Sequence, residues 1–137
     1  MPEPKIVGIV EPVVLEGKKK ISTLALFDSG ARTTSVDIEL AAKAQLGPVI
    51  GVQTVKNPSI KHSIKRVKVR AKLRIKGRVF DTEVNLQDRS HMKFPILIGR
   101  NILTGNFIID ANRNRELFHS GLKGATKTIK SWVKKEG

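Results

Sequence analysis

The chain contains no cysteine and no tyrosine, a single tryptophan, and only 12 acidic residues against 26 lysines and arginines. Without cysteine there is no disulfide framework, no thiolate nucleophile and no thiolate metal site. No apolar run approaches the roughly 20 residues that span a bilayer. The start, Met1-Pro2-Glu3-Pro4-Lys5, lacks the apolar core of a secretion signal. A cytoplasmic protein without membrane association is the resulting expectation. His62, His91 and His119 are scattered, none with a second ligand three or four residues away. A His-Glu-x-x-His pattern is also missing, so neither a metal nor another cofactor is expected. No Gly-x-Ser-x-Gly elbow presents a serine nucleophile, and no Walker-type or Gly-x-Gly-x-x-Gly loop cradles phosphates.

What is present is enough for one compact domain: 137 residues, 39% of them hydrophobic. The formal net charge of +14 suits a polyanionic partner, whether nucleic acid, anionic membrane or acidic peptide. Alternatively it serves general solubility.

Taken in order, the chain reads as short strands. Ile6 to Leu15 alternates imperfectly and is interrupted by Pro12, as in an edge strand or a bent pair of strands. Glu16-Gly17-Lys18-Lys19-Lys20 reads as a hairpin tip in which Gly17 supplies a positive φ. Ile21 to Phe27 returns as a strand. Thr33 to Val36 reads as a short strand, Asp37 to Ala44 as a short helix stopped by Gly47-Pro48, and Val49 to Val55 as a strand. Arg66 to Lys76 has the cleanest pattern. Val67, Val69, Ala71, Leu73 and Ile75 share one face, and six cations share the other, which predicts a half-buried antiparallel strand. Lys76-Gly77-Arg78 turns it into a return strand, Val79 to Leu86. The cationic stripe is either a solvated, edge-protecting face or a track for an anionic chain. Phe94 to Ile98 is wholly apolar and predicts a buried strand. A turn and one helical turn follow, closed by Gly105. Phe107 to Asp110 and Glu116-Leu117-Phe118 read as strands. The stretch 119–137 reads as a basic tail or short amphipathic helix outside a domain spanning 1–118. The fold class expected is all-β.

The residues leave one candidate for chemistry. Leu24 to Phe27 carries Asp28 into a Ser29-Gly30 turn, and a carboxylate at the end of an apolar strand needs a partner or a task. Two carboxylates forced together share one proton. Such a pair activates water as a base and protonates a leaving amide as an acid. The chain holds one Asp-Ser-Gly, so a pair requires a two-fold dimer. Taken alone, Asp-Ser-Gly marks only a turn.

It does not stand alone. Leu26-Phe27-Asp28-Ser29-Gly30-Ala31, with Phe94-Pro95-Ile96-Leu97-Ile98-Gly99-Arg100-Asn101-Ile102-Leu103 downstream, resembles the retropepsins, the retroviral-type aspartic proteases. The likeness runs from Ile9 to Phe118. The chain is still more similar to a cellular retropepsin-like family that carries the label ATP-dependent zinc protease and is associated with ATP-grasp ligases, some of which append glutamates. That likeness rests on Asp28 to Ser35 and on Leu86-Gln87-Asp88-Arg89-Ser90-His91-Met92-Lys93-Phe94-Pro95-Ile96-Leu97-Ile98-Gly99-Arg100. The residues give the zinc of that label no support.

The resemblance implies an all-β, retropepsin-like acid-protease barrel with one short helix after the Gly-Arg-Asn turn, working as a homodimer. Asp28 would be catalytic, the Ser29 hydroxyl would lock the two turns together, and Gly30 would admit the substrate backbone. Gly99 and Arg100 would support the turn, and a hairpin around Val52 to Ile64 would be a flap over an extended peptide. Viral enzymes place an acid where Arg32 stands, so Arg100 is expected to find another carboxylate. Arg32 either meets an acidic substrate at the cleft rim, beside Ala31 and Thr33, or pairs with Asp37. The reading is an aspartic endopeptidase for acidic peptides, glutamate-rich ones among them. Its rivals are a basic β-domain binding nucleic acid and a retropepsin fold kept as a non-catalytic interaction module.

Overall fold

The computed structural model describes residues 2–55 and 63–119. In chain order they form β1 (Lys5–Val7), β2 (Val10–Glu16), β3 (Lys20–Phe27), β4 (Ser35–Asp37), α1 (Ile38–Ala44), β5 (Val49–Val55), β6 (Ile64–Ile75), β7 (Arg78–Gln87), β8 (Ile96–Ile98), α2 (Arg100–Leu103) and β9 (Phe107–Ile109).

Six strands close into a barrel. The neighbours run β2-β3-β8-β4-β7-β6, and β6 returns to pair with β2 over Val14–Glu16. Because β6 reaches only that far, Pro12 lies where β2 has β3 as its sole partner, a place where a missing N–H costs little. β5 extends the sheet from the far side of β6. A separate parallel pair joins β1 to β9.

The alternation of β6 sets the barrel wall. Val69, Ala71, Leu73 and Ile75 are buried, while Arg70 and Lys72 are exposed. Val67 lies on the same face yet is 40% exposed. The reason is that β7 pairs with β6 only from Lys68 onward, so Ile64 to Val67 run past the barrel with β5 as their sole neighbour. Ile75 and Arg78 close a two-residue hairpin with Lys76 at φ 52° and Gly77 at φ 77°, the left-handed pair that such a turn needs. The core packs Leu15, Phe27, Val36, Leu73, Ile96 and Ile98 together.

Two expectations fail. Gly17 has no positive φ; a Cβ there would strike the backbone carbonyl of Ala44, so glycine is needed for the close approach of the hairpin tip to the end of α1. Residues 116–118 are not a strand but part of a helical run over 115–119. It buries Leu117 against Val10, Leu24 and Phe94. The 120–137 stretch and the centre of the expected flap, 56–62, lie outside the described residues.

Candidate active site

The site is built where β3, β4 and β8 meet. β8 lies between the other two, parallel to β3 and antiparallel to β4. The β3–β8 register ends at Phe27 and Ile98, and the Asp28 N–H donates to the Ile98 carbonyl at 2.9 Å. The chain then turns tightly. The Ala31 N–H donates to the Asp28 carbonyl at 3.1 Å, and the Gly30 N–H donates to Asp28 Oδ1 at 2.9 Å. A Cβ on Gly30 would stand 3.2 Å from that oxygen, so a side chain there would push the carboxylate aside. Asp28 is thus half-buried and held by one oxygen, with Ser29 and Gly30 exposed beside it.

The Gly99-Arg100-Asn101 stretch buttresses this turn. Gly99 packs on the backbone of Thr33 so closely that any Cβ would collide with it. The buried Thr34 hydroxyl accepts from the Gly99 N–H at 3.1 Å and donates to Asn101 Oδ1 at 2.7 Å. The Arg100 N–H donates to the Ala31 carbonyl at 2.8 Å. Its guanidinium donates to the carbonyls of Ser29 and Gly30 at 3.2 and 3.4 Å. Arg100 therefore needs no substitute carboxylate: it binds the turn through main-chain oxygens, which are available whatever residue stands at position 32.

A groove of about 810 Å³ opens beside the turn. Ala31, Arg32 and Thr33 line it, joined by Gln53, Arg66 and Arg89, and among the described residues no aspartate or glutamate does. Arg32 does not pair with Asp37. The Asp37 carboxylate caps α1 through the Leu40 N–H and accepts the Arg89 backbone N–H at 2.8 Å. A larger hollow of about 940 Å³ lies at the opposite hairpin tip, between Gly17 and Pro48, and holds no residue of the turn.

Sequence reasoning missed the polar frame of the groove. Asn85 on β7 is buried. It accepts from the Ser35 hydroxyl at 2.8 Å and donates to Thr33 Oγ1 at 3.1 Å. Gln53 and Arg66 reach the same frame from the β5–β6 hairpin, through Thr33 and Asn85 respectively. Arg89 is only 5% exposed. Burial and, after it, the neighbouring Arg66 guanidinium push its pKa down, against the pull of Asp37. An asparagine between apolar neighbours was the one available hint of this frame. Among the described residues no group of three His, Asp or Glu side chains comes together as a metal site requires.

The model of the RimB-like family, described as the retropepsin-like aspartic endopeptidase RimB, matches residues 37–116, more than half of the chain. The chain belongs to this family. The match begins after Asp28 and so does not include the Asp28 turn. Solved structures agree on the retropepsin fold. A protein of unknown function from Legionella pneumophila has 21% identity and a TM-score of 0.54, over 77% of this chain and 92% of that one. A foamy viral protease-reverse transcriptase, solved with an RNA/DNA hybrid, has 20% identity and a TM-score of 0.51, over 68% of this chain and 11% of that one. No curated protein matches the chain. The expected all-β, retropepsin-like barrel with a short helix after Gly-Arg-Asn is the fold found. No helix among the described residues is long and apolar enough to cross a membrane.

Proposed function

We propose that the protein is an aspartic endopeptidase whose active site forms when Asp28 of two copies meet across a two-fold axis. The observation that carries this reading is the Asp28 turn. It is a half-buried carboxylate fixed by the Gly30 N–H and buttressed by Arg100, in a chain of a retropepsin-like family. One proton shared by the pair would let one carboxylate draw a proton from water while the other protonates the departing amide nitrogen. Ser29 would tie the two turns together. The β5–β6 hairpin would cover a peptide bound in extended form. Arg32 at the groove would favour acidic peptides, glutamate-rich ones among them.

The test incubates the full chain with an acidic peptide, alongside Asp28→Asn and a chelator control. Cleavage that ignores the chelator and disappears in the variant supports the mechanism. Equal cleavage by both proteins overturns it. Sedimentation adds an independent check, because an active protein that stays monomeric at assay concentration refutes the shared pair.

A further inference from the structure

Three arginines line the groove from three parts of the chain: Arg32 from the turn after Asp28, Arg66 from β6, and Arg89 from the loop after β7. Their surroundings differ from those of three other β6 cations. Lys68, Arg70 and Arg74 each stand within ion-pair distance of a carboxylate: Glu83, Asp81 and Glu16. Among the described residues no carboxylate pairs with the side chain of Arg32, Arg66 or Arg89, and none lines the groove. Asp37, the nearest acid to Arg89, gives its oxygens to backbone N–H groups.

The side chains of Arg66 and Arg89 are also held in place. Arg89 donates from Nε to the Phe94 carbonyl at 3.0 Å and from Nη1 to Gln87 Oε1 at 3.4 Å. Arg66 donates to Asn85 Oδ1 at 3.4 Å, and Asn85 is itself fixed by Ser35, Thr33 and Thr34. Burying a guanidinium is costly, setting a second one near it adds to the cost, and the Asp37 carboxylate offsets only part of this for Arg89. An anion entering the groove would relieve both terms. Its most favourable form is a carboxylate, whose two oxygens match the planar fork of a guanidinium.

We infer that Arg66 and Arg89, with Arg32 at the rim, form a carboxylate subsite that selects peptides carrying an acidic side chain close to the scissile bond. This inference rests on the peptidase reading for what happens to the peptide, but not for whether the peptide binds. It assigns to Arg66 a role distinct from that of the rest of its strand, and it makes Arg89 a specificity residue and not only a loop anchor. A peptide's terminal carboxylate has the same chemistry, so the test separates the two sources.

The full-length Asp28→Asn protein is titrated by fluorescence anisotropy with three labelled peptides of otherwise identical neutral sequence. One has a single central Glu and an amidated C-terminus, one has Gln there and an amidated C-terminus, and one has Gln and a free C-terminus. The expected result is that the Glu peptide binds about tenfold more tightly than its amidated Gln partner, as a charge-assisted bidentate contact provides. Arg66→Gln and Arg32→Gln should each shrink that ratio severalfold. Arg89→Lys, which keeps the charge but loses the fork, should do so too if its melting curve matches the parent. Lys72→Gln removes one exposed charge outside the groove and serves as the comparison. Equal binding of the Glu and Gln peptides overturns the subsite. So does a loss with Lys72→Gln as large as that with Arg66→Gln, or a gain that follows only the free terminus. If the Glu peptide is selected as expected but wild-type protein never cuts it, the subsite stands and the peptidase reading falls.

Discussion

Replacing Thr34 with valine tests whether the two halves of the site are joined as described. Thr34 is fully buried, and its hydroxyl is the acceptor for the buried Gly99 N–H and a donor to Asn101. Valine keeps the shape and removes the hydroxyl. Asn101 is exposed, so water replaces its lost partner and that bond costs at most about 1 kcal/mol. The Gly99 N–H has no such recourse. The Thr33 backbone closes over it, and an unsatisfied buried donor costs about 1–3 kcal/mol. The sum, roughly 1–4 kcal/mol, converts to a fall in Tm of about 3–20 °C for a domain of this size. Thr34→Ser keeps the hydroxyl and is the control. Calorimetry gives the Tm, and amide hydrogen exchange reports the Gly99 N–H directly, which should exchange faster in the valine variant than in the serine one. A Tm within about 1 °C of wild type, with Gly99 exchange unchanged, would refute the claim that this hydroxyl couples β4 to the Gly-Arg-Asn stretch.

Other substitutions probe separate links. Gly99→Ala drives a methyl into the Thr33 backbone and should cost at least about 2 kcal/mol in urea unfolding, with the Asp28 turn displaced. Glu11 is fully buried, accepts from the Gly8 N–H at 2.6 Å and from Asn114, and stands 3.3 Å from Lys76; Glu11→Ala should cost about 3–5 kcal/mol, and Glu11→Gln, which keeps acceptors for the N–H donors, distinctly less. Asp88 is held below the ordinary aspartate range, first by the Ser90 hydroxyl and then by the Ser90 N–H. Its contribution to stability is therefore present above the unfolded pKa and lost as pH falls through the folded one. Ser90→Ala should move the Asp88 carboxyl titration upward in carbon NMR, and an unmoved curve would show that the hydroxyl does not set it.

What the sequence made legible was local or motif-bound. The β6 alternation is visible because every second residue from Val67 to Ile75 is apolar, and the Lys76-Gly77 turn because two left-handed residues fit that hairpin. The Asp28 turn and the Gly99-Arg100 stretch each have a recognisable local pattern, and their meeting was legible through the resemblance to the retropepsins. The failures are long-range. Gly17 beside three lysines reads as a positive-φ turn residue, yet the constraint is the Ala44 carbonyl, far along the chain. Leu117-Phe118 is too short to show a period, so helix and strand could not be told apart. Arg100 was assigned an acid by analogy, while the carbonyls of Ser29 and Gly30 serve it directly. Arg66 looked like one cation of six. Only the point at which β7 ceases to pair with β6 separates it from the rest of the stripe.

That separation bears on how the positive charge is used. A track for a long polyanion would need the β6 stripe to act as a continuous field. Instead Lys68 stands 3.5 Å from Glu83, Arg70 2.8 Å from Asp81, and Arg74 3.2 Å from Glu16. Each of these partly exposed pairs is worth no more than about 1 kcal/mol in stability, but each also cancels a cation at short range. What is left of the field near the stripe is dipolar, and salt screens it within about 8 Å under physiological conditions. Among the described residues Arg32 and Arg66 have no such partner, and Arg89 feels the Asp37 carboxylate without pairing with it. They line a recess instead of a flat face, and a low-dielectric wall focuses potential into a recess. The stripe and the groove therefore contribute unequally to any anion's affinity, although both are drawn from the same run of basic residues. An extended acidic peptide gains by placing a carboxylate beside the Asp28 turn, whereas a nucleic acid backbone laid along β6 meets a carboxylate beside three of the strand's cations.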